Sequence, residues 1–220
     1  MLSNNVQGYE YWRDRDERDP KMDWKNPEEL WIRQYWYSMV HPHREVLLNI
    51  LMRISPFDSL LEIGCSCGSN IYRIRGTFPL KDTNLAGIDA NVNCIEFAKS
   101  KMGAVDFRVG DFRKLPYPDK SFDIVLSDAA LMYVSPEEIE KVMKEIDRVA
   151  RVAIVLIEWS DKSRLGIVKD FHWARDYMKL LEELGYGGVR RKFTLEEWPS
   201  ENWLHNGILI AAWKPTIPQA

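Results

Sequence analysis

Residues 60–70 read LLEIGCSCGSN, and this stretch decides the fold of the chain. An apolar segment over 60–63 runs directly into a turn of small residues. Glycine at Gly64 and Gly68 tolerates backbone conformations that other residues avoid, and it lets the main chain approach a ligand closely. A helix that starts near Ser69 would present free N–H groups at the same place. The stretch is therefore typical of a strand, a ligand-binding turn and a helix in succession.

The chain after this stretch alternates short apolar segments with helical ones. The patterns predict strands over 59–64, 84–89, 104–109, 122–127 and 152–158, and helices over 69–77, 92–101 and 136–149. Such alternation is typical of a parallel sheet covered by helices on both faces. Beyond a loop over 161–165, the sequence predicts a helix over 170–184 and two strands, 189–195 and 207–213, that pair as an antiparallel edge. We predict a doubly wound α/β fold.

The first forty residues are rich in aromatic side chains, with Trp at 12, 24, 31 and 36 and Tyr at 9, 11, 35 and 37. This composition is too aromatic for a disordered tail. A cap, a proline and two acids over 26–29 predict a helix that runs to about residue 40, and a second helix is predicted over 42–54. We predict an N-terminal helical cap over 1–55 and a main domain over 56–220. We expect the aromatic side chains of the cap to form a lid over the ligand, with Tyr11, Trp12, Trp36 and Tyr37 as the main candidates.

The amino-acid composition limits the classes of partner that we expect this chain to bind. Its 220 residues can bury one sizeable core. The net charge of -3 and pI near 5.9 disfavour a nucleic-acid partner, because such surfaces neutralise many phosphates. No segment approaches the roughly 20 apolar residues of a membrane span, so we expect a cytoplasmic protein without one. We expect the three cysteines to be free thiols, and we expect no metal site.

Two acidic residues follow the second and third predicted strands. In a doubly wound sheet, ligands lie outside the carboxyl ends of the strands. Asp89 can accept hydrogen bonds there from ribose hydroxyls, or it can cap the helix that follows. Asp111 can receive an exocyclic amine, with Phe112 beside it as an adenine face, or it can simply shape its turn. Three loops would then face one nucleotide-type cofactor.

The order and spacing of four motifs carry a family resemblance: LLEIGCSCGSN, GIDAN, VGDFRKLPYPDKSFDIVLSDAALMYV and VAIVLIEW. The chain resembles a class I S-adenosylmethionine-dependent methyltransferase from about residue 60 to 159, and more loosely to 213. The resemblance implies a Rossmann-like, seven-stranded, mostly parallel sheet whose last strand is antiparallel. It also implies S-adenosylmethionine as cofactor and S-adenosylhomocysteine as product. The family usually carries glycine where this chain has Ser66. We expect cofactor contacts from Glu62, Gly64, Cys65, Ser66, Gly68, Asn70, Asp89, Ala90, Asp111, Phe112, Ser127 and Met132.

A nicotinamide-binding sheet is the nearest alternative, since it also uses a glycine turn and a ribose carboxylate. Three features count against it. The turn lacks the third glycine of the nicotinamide spacing, Asp111 after Gly110 fits an adenine site, and the final strand pair fits the methyltransferase sheet edge.

Methyl transfer is an in-line displacement at an activated carbon, so the protein chiefly aligns the nucleophile and excludes water. The chemistry requires no metal. Asp128 and Tyr133 follow the fourth strand and would border the transferred group, while Glu158 ends the fifth strand. His41 follows the aromatic helix and His172 follows the fifth strand, where each can act as a base. Each of these residues also has a purely structural alternative, in capping or packing.

The sequence favours an enzyme that methylates an oxygen or nitrogen atom of a small molecule, such as a sugar, a natural-product intermediate or a lipid-like compound. Two alternatives stay open. One is a methyltransferase that acts on protein or RNA, and the other is a non-catalytic module that binds the cofactor and regulates a partner. The acceptor and the oligomeric state are set by loops and surfaces that vary on a shared fold.

Overall fold

The computed structural model describes residues 7–15, 31–160, 166–169 and 172–215. The helices in these residues are α1 Gln7–Arg13, α2 Trp31–Tyr37, α3 His43–Ile54, α4 Ser69–Thr77, α5 Val92–Lys101, α6 Ile139–Val149, α7 Tyr177–Glu183 and α8 Glu201–Asn206. The strands are β1 Leu60–Ile63, β2 Leu85–Asp89, β3 Asp106–Val109, β4 Phe122–Asp128, β5 Ala150–Trp159, β6 Gly166–Lys169, β7 His172–Ala174, β8 Gly187–Lys192 and β9 Gly207–Trp213. Short 3-10 turns occupy Ser38–Val40, Asp82–Asn84 and Leu131–Tyr133.

Seven strands form one sheet in the order β3-β2-β1-β4-β5-β9-β8. The first five pair in parallel, whereas β9 runs antiparallel to both of its neighbours. The predicted doubly wound sheet with an antiparallel last strand is therefore confirmed. The strand order reverses direction between β1 and β4, which is where ligands bind in sheets of this kind.

Helices cover both faces of the sheet because alternate strand residues point to opposite sides. On one face, Leu61 packs with Val142 and Ile146 of α6 and with α7. On the other face, Leu60 packs with α3, α4 and α5, for example through Leu51. These side chains are almost fully buried, and each contributes about 1.5–3 kcal/mol of hydrophobic stabilisation. Helix α3 thus belongs to the same hydrophobic core as the sheet.

The helix predicted over 170–184 is wrong at 172–176. His172–Ala174 forms strand β7, which pairs antiparallel with β6, and the helix begins only at Tyr177. Asp176 caps it by accepting a hydrogen bond from the backbone N–H of Lys179 at 3.3 Å. Pairing with a neighbouring strand has overridden the local helical pattern, as tertiary contacts often do.

Other element boundaries also differ from the predictions. The strand predicted over 189–195 lies at 187–192, and helices α1 and α8 were not predicted. The start of the helix predicted from residue 26 and the loop predicted over 161–165 lie outside the described residues. The division into a cap over 1–55 and a main domain stays a prediction. Within the described ranges, no helix has the length and apolarity needed to cross a bilayer.

Candidate active site

A cavity of about 340 Å³ lies at the carboxyl ends of β1, β2 and β4. We refer to it as the central cavity. Its walls come from the N-terminal residues, the turns after β1 and β2, the loop after β4 and a pair of tryptophans near α8. The sequence-predicted residues on its wall are Glu62, Gly64, Cys65, Ser66, Asn70, Asp89, Ala90, Phe112, Met132, Asp128, Tyr133, Trp12 and His41.

The turn after β1 has three residues in the left-handed region: Gly64 at φ +66°, Ser66 at +48° and Gly68 at +82°. A Cβ on Gly64 would lie 2.3 Å from the Cβ of Ala130, so the protein itself fills the space beside this glycine. Gly68 is crowded by Met102 and does not line the central cavity. Both glycines therefore shape the turn, and Ser66 takes up the left-handed conformation that a glycine would adopt without strain.

Asp89 holds this turn against the end of β2. One carboxylate oxygen accepts the Ser66 N–H at 2.8 Å, and the other accepts the Asn91 N–H at 2.8 Å. Burial raises the pKa of Asp89, and the N–H donors oppose that shift. Each carboxylate oxygen has a second lone pair, so Asp89 can still accept hydrogen bonds from a ligand in the cavity.

Glu62 and Asn70 leave two buried acceptors unused. Asn70 Nδ2 donates to Glu62 Oε1 at 2.7 Å and to Asp128 Oδ2 at 2.9 Å. Among the described residues, neither Glu62 Oε2 nor Asn70 Oδ1 has a hydrogen-bond partner. Burial raises the pKa of Glu62 to about 8. Buried acceptors without partners are costly, and a ligand that donates hydrogen bonds could satisfy both of them in this corner of the cavity.

Asp128 lies at the centre of a second polar cluster. Its Oδ2 is 2.9 Å from His43 Nε2, and His43 Nδ1 is 2.5 Å from His41 Nδ1. Burial alone would raise the pKa of Asp128, but His43, Arg44 and Asn70 outweigh burial and lower it to about 2. Loss of hydration, together with His43 and Arg44, lowers the pKa of His41 to about 4. Asp128 is therefore ionised and His41 neutral at pH 7.

Trp198 stacks on the His43 ring, with centroids 4.1 Å apart and planes at 29°. Its other stacking partner is Trp203, at 3.7 Å and 10°. Both tryptophans and the buried Arg44 line the central cavity. Arg44 donates from Nη1 to the Ser38 carbonyl at 2.5 Å, while no described residue accepts a hydrogen bond from its Nε.

Glu158 and Ser127 lie behind the cavity wall. The fully buried Glu158 accepts from the Ser127 hydroxyl at 2.7 Å and from the backbone N–H groups of Ala130, Leu131 and Met132 at 3.0–3.1 Å. Burial raises the pKa of Glu158 to about 7, and these four donors oppose the shift. Glu158 thus fixes the 3-10 turn after β4, which carries the wall residues Met132 and Tyr133.

Two more predicted residues lie away from the wall. Asp111 accepts hydrogen bonds from the Arg113 backbone N–H at 2.8 Å and from its Nε at 2.7 Å. His172 Nε2 lies 2.9 Å from the Tyr133 hydroxyl, and its ring packs on Trp159. His172 therefore contacts the cavity only through Tyr133.

The N-terminal aromatics divide into two groups. Trp12 lines the cavity, packs edge-on against Tyr133 at 5.4 Å, and its carbonyl accepts the Asn91 side-chain N–H at 2.8 Å. Trp36 packs on Tyr72 instead, and Tyr37 is 60% exposed. Whether the segment moves as a lid stays a prediction.

Sequence reasoning missed His43, Arg44, Trp198 and Trp203. The spacing His41-x-His43 was a usable signal, because it precedes a core helix whose start faces the sheet. The two tryptophans gave no such signal, since they reach the cavity from the far end of the chain.

A family described as "Methyltransferase domain" matches residues 60–152. Phosphoethanolamine N-methyltransferase 3 of Arabidopsis thaliana is 31% identical over 88 residues, which are 38% of this chain and 17% of that relative. A fatty-acid O-methyltransferase of Mycolicibacterium smegmatis is 34% identical over 70 residues, 31% of this chain and 25% of that relative. Residues 60–152 therefore match a methyltransferase domain, and this match supports the predicted resemblance to class I S-adenosylmethionine-dependent methyltransferases.

The match to the plant relative therefore spans about a sixth of that protein's length. Among solved structures, the geranyl diphosphate C-methyltransferase of Streptomyces coelicolor A3(2) aligns with a TM-score of 0.66 at 14% identity. The alignment covers 98% of this chain and 100% of that protein's chain. At that identity the likeness shows a shared fold.

Proposed function

We propose that this chain is an active methyltransferase that binds S-adenosylmethionine in the central cavity and methylates a small molecule. The observation that carries the proposal is that one cavity holds two different polar corners. Glu62 and Asn70 offer unused buried acceptors, and His41, His43 and Asp128 form a chain of titratable groups. A cofactor site and a site for chemistry would thus share one enclosed space.

The residues at the first corner suit this cofactor. S-adenosylmethionine carries an ammonium and a sulfonium group. Glu62 Oε2 and Asn70 Oδ1 would accept hydrogen bonds from its N–H donors and stabilise its positive charge. Asp89 and Ala90 at the end of β2 would hold the ribose, and Phe112 and Met132 would contact apolar parts. When bound, the cofactor supplies an electrophilic methyl group. The protein's own residues orient the acceptor and exclude water around it.

The size and walls of the cavity favour a small acceptor. Trp12 and Tyr35 close it on one side, and Trp198 and Trp203 close it on another. These walls place apolar rings beside the polar groups of His41, His43 and Asp128. Two of the relatives are named for phosphoethanolamine and for fatty acids, and both of these are small molecules.

Calorimetric titration with S-adenosylmethionine and S-adenosylhomocysteine tests the cofactor step. We expect micromolar binding by the native chain, lost in Asp89→Ala and kept in Asp106→Ala, whose carboxylate lies on β3 away from the wall. Circular dichroism and thermal melts establish that both variants fold. No binding by the folded native chain would overturn the proposal.

Turnover is tested with radiolabelled cofactor and a panel of small acceptors. Transfer to any member supports the enzyme. Binding without transfer across the panel and across protein and RNA substrates would favour the non-catalytic module.

A further inference from the structure

We propose that His41, His43 and Asp128 form a proton relay that removes the proton from a hydroxyl group of the acceptor. His43 is the positioning residue in the middle of that relay. The inference rests on the proposed function and deepens it, because it assigns the acceptor a hydroxyl oxygen. It is carried by the contacts of His43, a residue that was not predicted from the sequence.

The distances limit where protons can lie in this cluster. Asp128 is an ionised acceptor, so the proton on the 2.9 Å contact belongs to His43 Nε2. The two Nδ1 atoms are 2.5 Å apart and must share one proton between them, since two lone pairs or two N–H groups would repel. The neutral pair therefore has an N–H on Nδ1 of His41 that points at the bare Nδ1 of His43.

This arrangement leaves Nε2 of His41 as a base. The His41 ring lines the central cavity, and no hydrogen bond from the described residues reaches its Nε2. When Nε2 takes a proton from an acceptor, the Nδ1 proton of His41 can pass to Nδ1 of His43. The backbone N–H of His43 donates to His41 Nδ1 at 3.4 Å, so this contact favours the state after transfer, in which that nitrogen has no proton.

The positive charge ends on His43, where neighbouring groups stabilise it. The resulting imidazolium lies against the Asp128 carboxylate and flat on the Trp198 ring, and both contacts favour a cation. Arg44 lies beside the cluster and opposes positive charge on His41. The ionised Asp128 contacts His43 directly and also accepts a hydrogen bond from Asn70. Moving the charge from His41 to His43 therefore takes it towards Asp128.

The presence of a proton relay indicates which chemical class of acceptor the site methylates. A carboxylate acceptor is already ionised at neutral pH and needs no base. An amine can lose its proton to water before it binds. A neutral hydroxyl cannot ionise appreciably at neutral pH, so it gains most from a positioned base. In the balanced reaction the hydroxyl oxygen forms the C–O bond, the C–S bond breaks with its electron pair left on sulfur, and the hydroxyl proton goes to His41.

The tautomers can be measured without any acceptor. We would record long-range ¹H–¹⁵N spectra of the full chain with ¹⁵N-labelled histidine and bound S-adenosylhomocysteine. At neutral pH we expect a proton on Nε2 of His43 and a bare Nε2 on His41. Asp128→Asn should remove the preference at His43, and His205→Gln, an exposed control, should change only its own signals.

A protonated His41 Nε2 in the neutral pair would overturn the relay. So would a His43 that stays an imidazolium across pH 6 to 9, since it could accept nothing. A protein that does not bind S-adenosylhomocysteine fails the proposed function, whereas one that binds it with the opposite tautomers fails this inference alone.

Kinetics supply the second test, with radiolabelled cofactor and three arms of probe: phenols and alcohols, primary amines, and fatty carboxylates. His43→Gln keeps a donor towards Asp128 but cannot carry a proton. We expect methyl transfer to the phenols and alcohols. The kcat of that transfer should be about 100-fold lower in His43→Gln, while the Kd for S-adenosylhomocysteine should not change. The loss should shrink for more acidic phenols. Transfer confined to amines or carboxylates, or native kcat in His43→Gln, would contradict the inference.

Discussion

Glu62 and Glu158 are both buried carboxylates in central strands of the same sheet, but they have opposite surroundings. Every hydrogen bond to Glu158 comes from groups inside the wall, and four donors satisfy its two oxygens. Glu62 has one oxygen on Asn70 and one with no partner among the described residues. The fully paired Glu158 stabilises the fold, whereas Glu62 has an oxygen beside the cavity that a ligand could reach.

Glu158→Ala should have the largest effect, and it should fall on stability. The change leaves three backbone N–H groups and a hydroxyl buried without an acceptor, each costing about 1–3 kcal/mol. We expect the free energy of unfolding to drop by at least about 3 kcal/mol in urea titrations. Glu158→Gln, which keeps one acceptor oxygen, should lose less. A small loss in Glu158→Ala would mean that water replaces the carboxylate, and the contrast with Glu62 would disappear.

Glu62→Gln should act on binding instead. Glutamine keeps the acceptor for Asn70 but places an N–H₂ group where Oε2 was, facing the ligand's positive groups. We expect calorimetry to show about 10- to 100-fold weaker binding of S-adenosylmethionine, from the loss of a charge-assisted hydrogen bond. The free energy of unfolding without ligand should change little. A large drop in stability would show that Glu62 is structural after all.

The pH dependence of binding sharpens the same contrast. Because the pKa of Glu62 is about 8 in the empty site, a cationic ligand must drive off a proton when it binds near neutral pH. Affinity for S-adenosylmethionine should therefore rise as pH rises, by about fivefold from pH 7 to pH 8, and level off above that. Titrations in buffers of different ionisation enthalpy would detect the released proton. Glu62→Gln should remove this slope, and a slope that persists there would assign the proton elsewhere.

Trp12→Ala should have the smallest effect. It removes an aromatic wall that lies close to the cavity but leaves the acids in place, so we expect cofactor binding to weaken only about two- to fivefold. Tyr37→Ala is the matched control, because Tyr37 is 60% exposed and does not line the cavity. Equal effects in the two variants would remove Trp12 from the binding surface.

Much of the cavity wall near β1 and β2 was predictable, because it depends on sequence patterns within short segments. The strand, the turn and the helix of residues 60–70 are adjacent in sequence, and parallel strands bring their carboxyl ends to one edge. Asp89 and Phe112 follow from the same rule. Asp111 shows its limit: its place after β3 was predictable, but its pairing with Arg113, two residues on, depends on side-chain orientation.

The remaining features depend on contacts between distant parts of the chain. Glu158 had the position of a catalytic acid, and only the fold shows that backbone groups 26–28 residues earlier occupy its oxygens. The contact of His43 with Asp128 joins residues 85 apart. The segment 172–174 had a helical pattern, but it pairs as a strand because β6 lies beside it.

The sequence by itself determined the doubly wound sheet, its antiparallel final strand and the turn that lines the central cavity, because hydrophobic periodicity and turn residues act over short distances. The tertiary structure alone decided which titratable groups line the cavity and which lie behind its wall. Burial and hydrogen-bond pairing set the charge of each acid and each histidine, and both depend on the whole chain having packed.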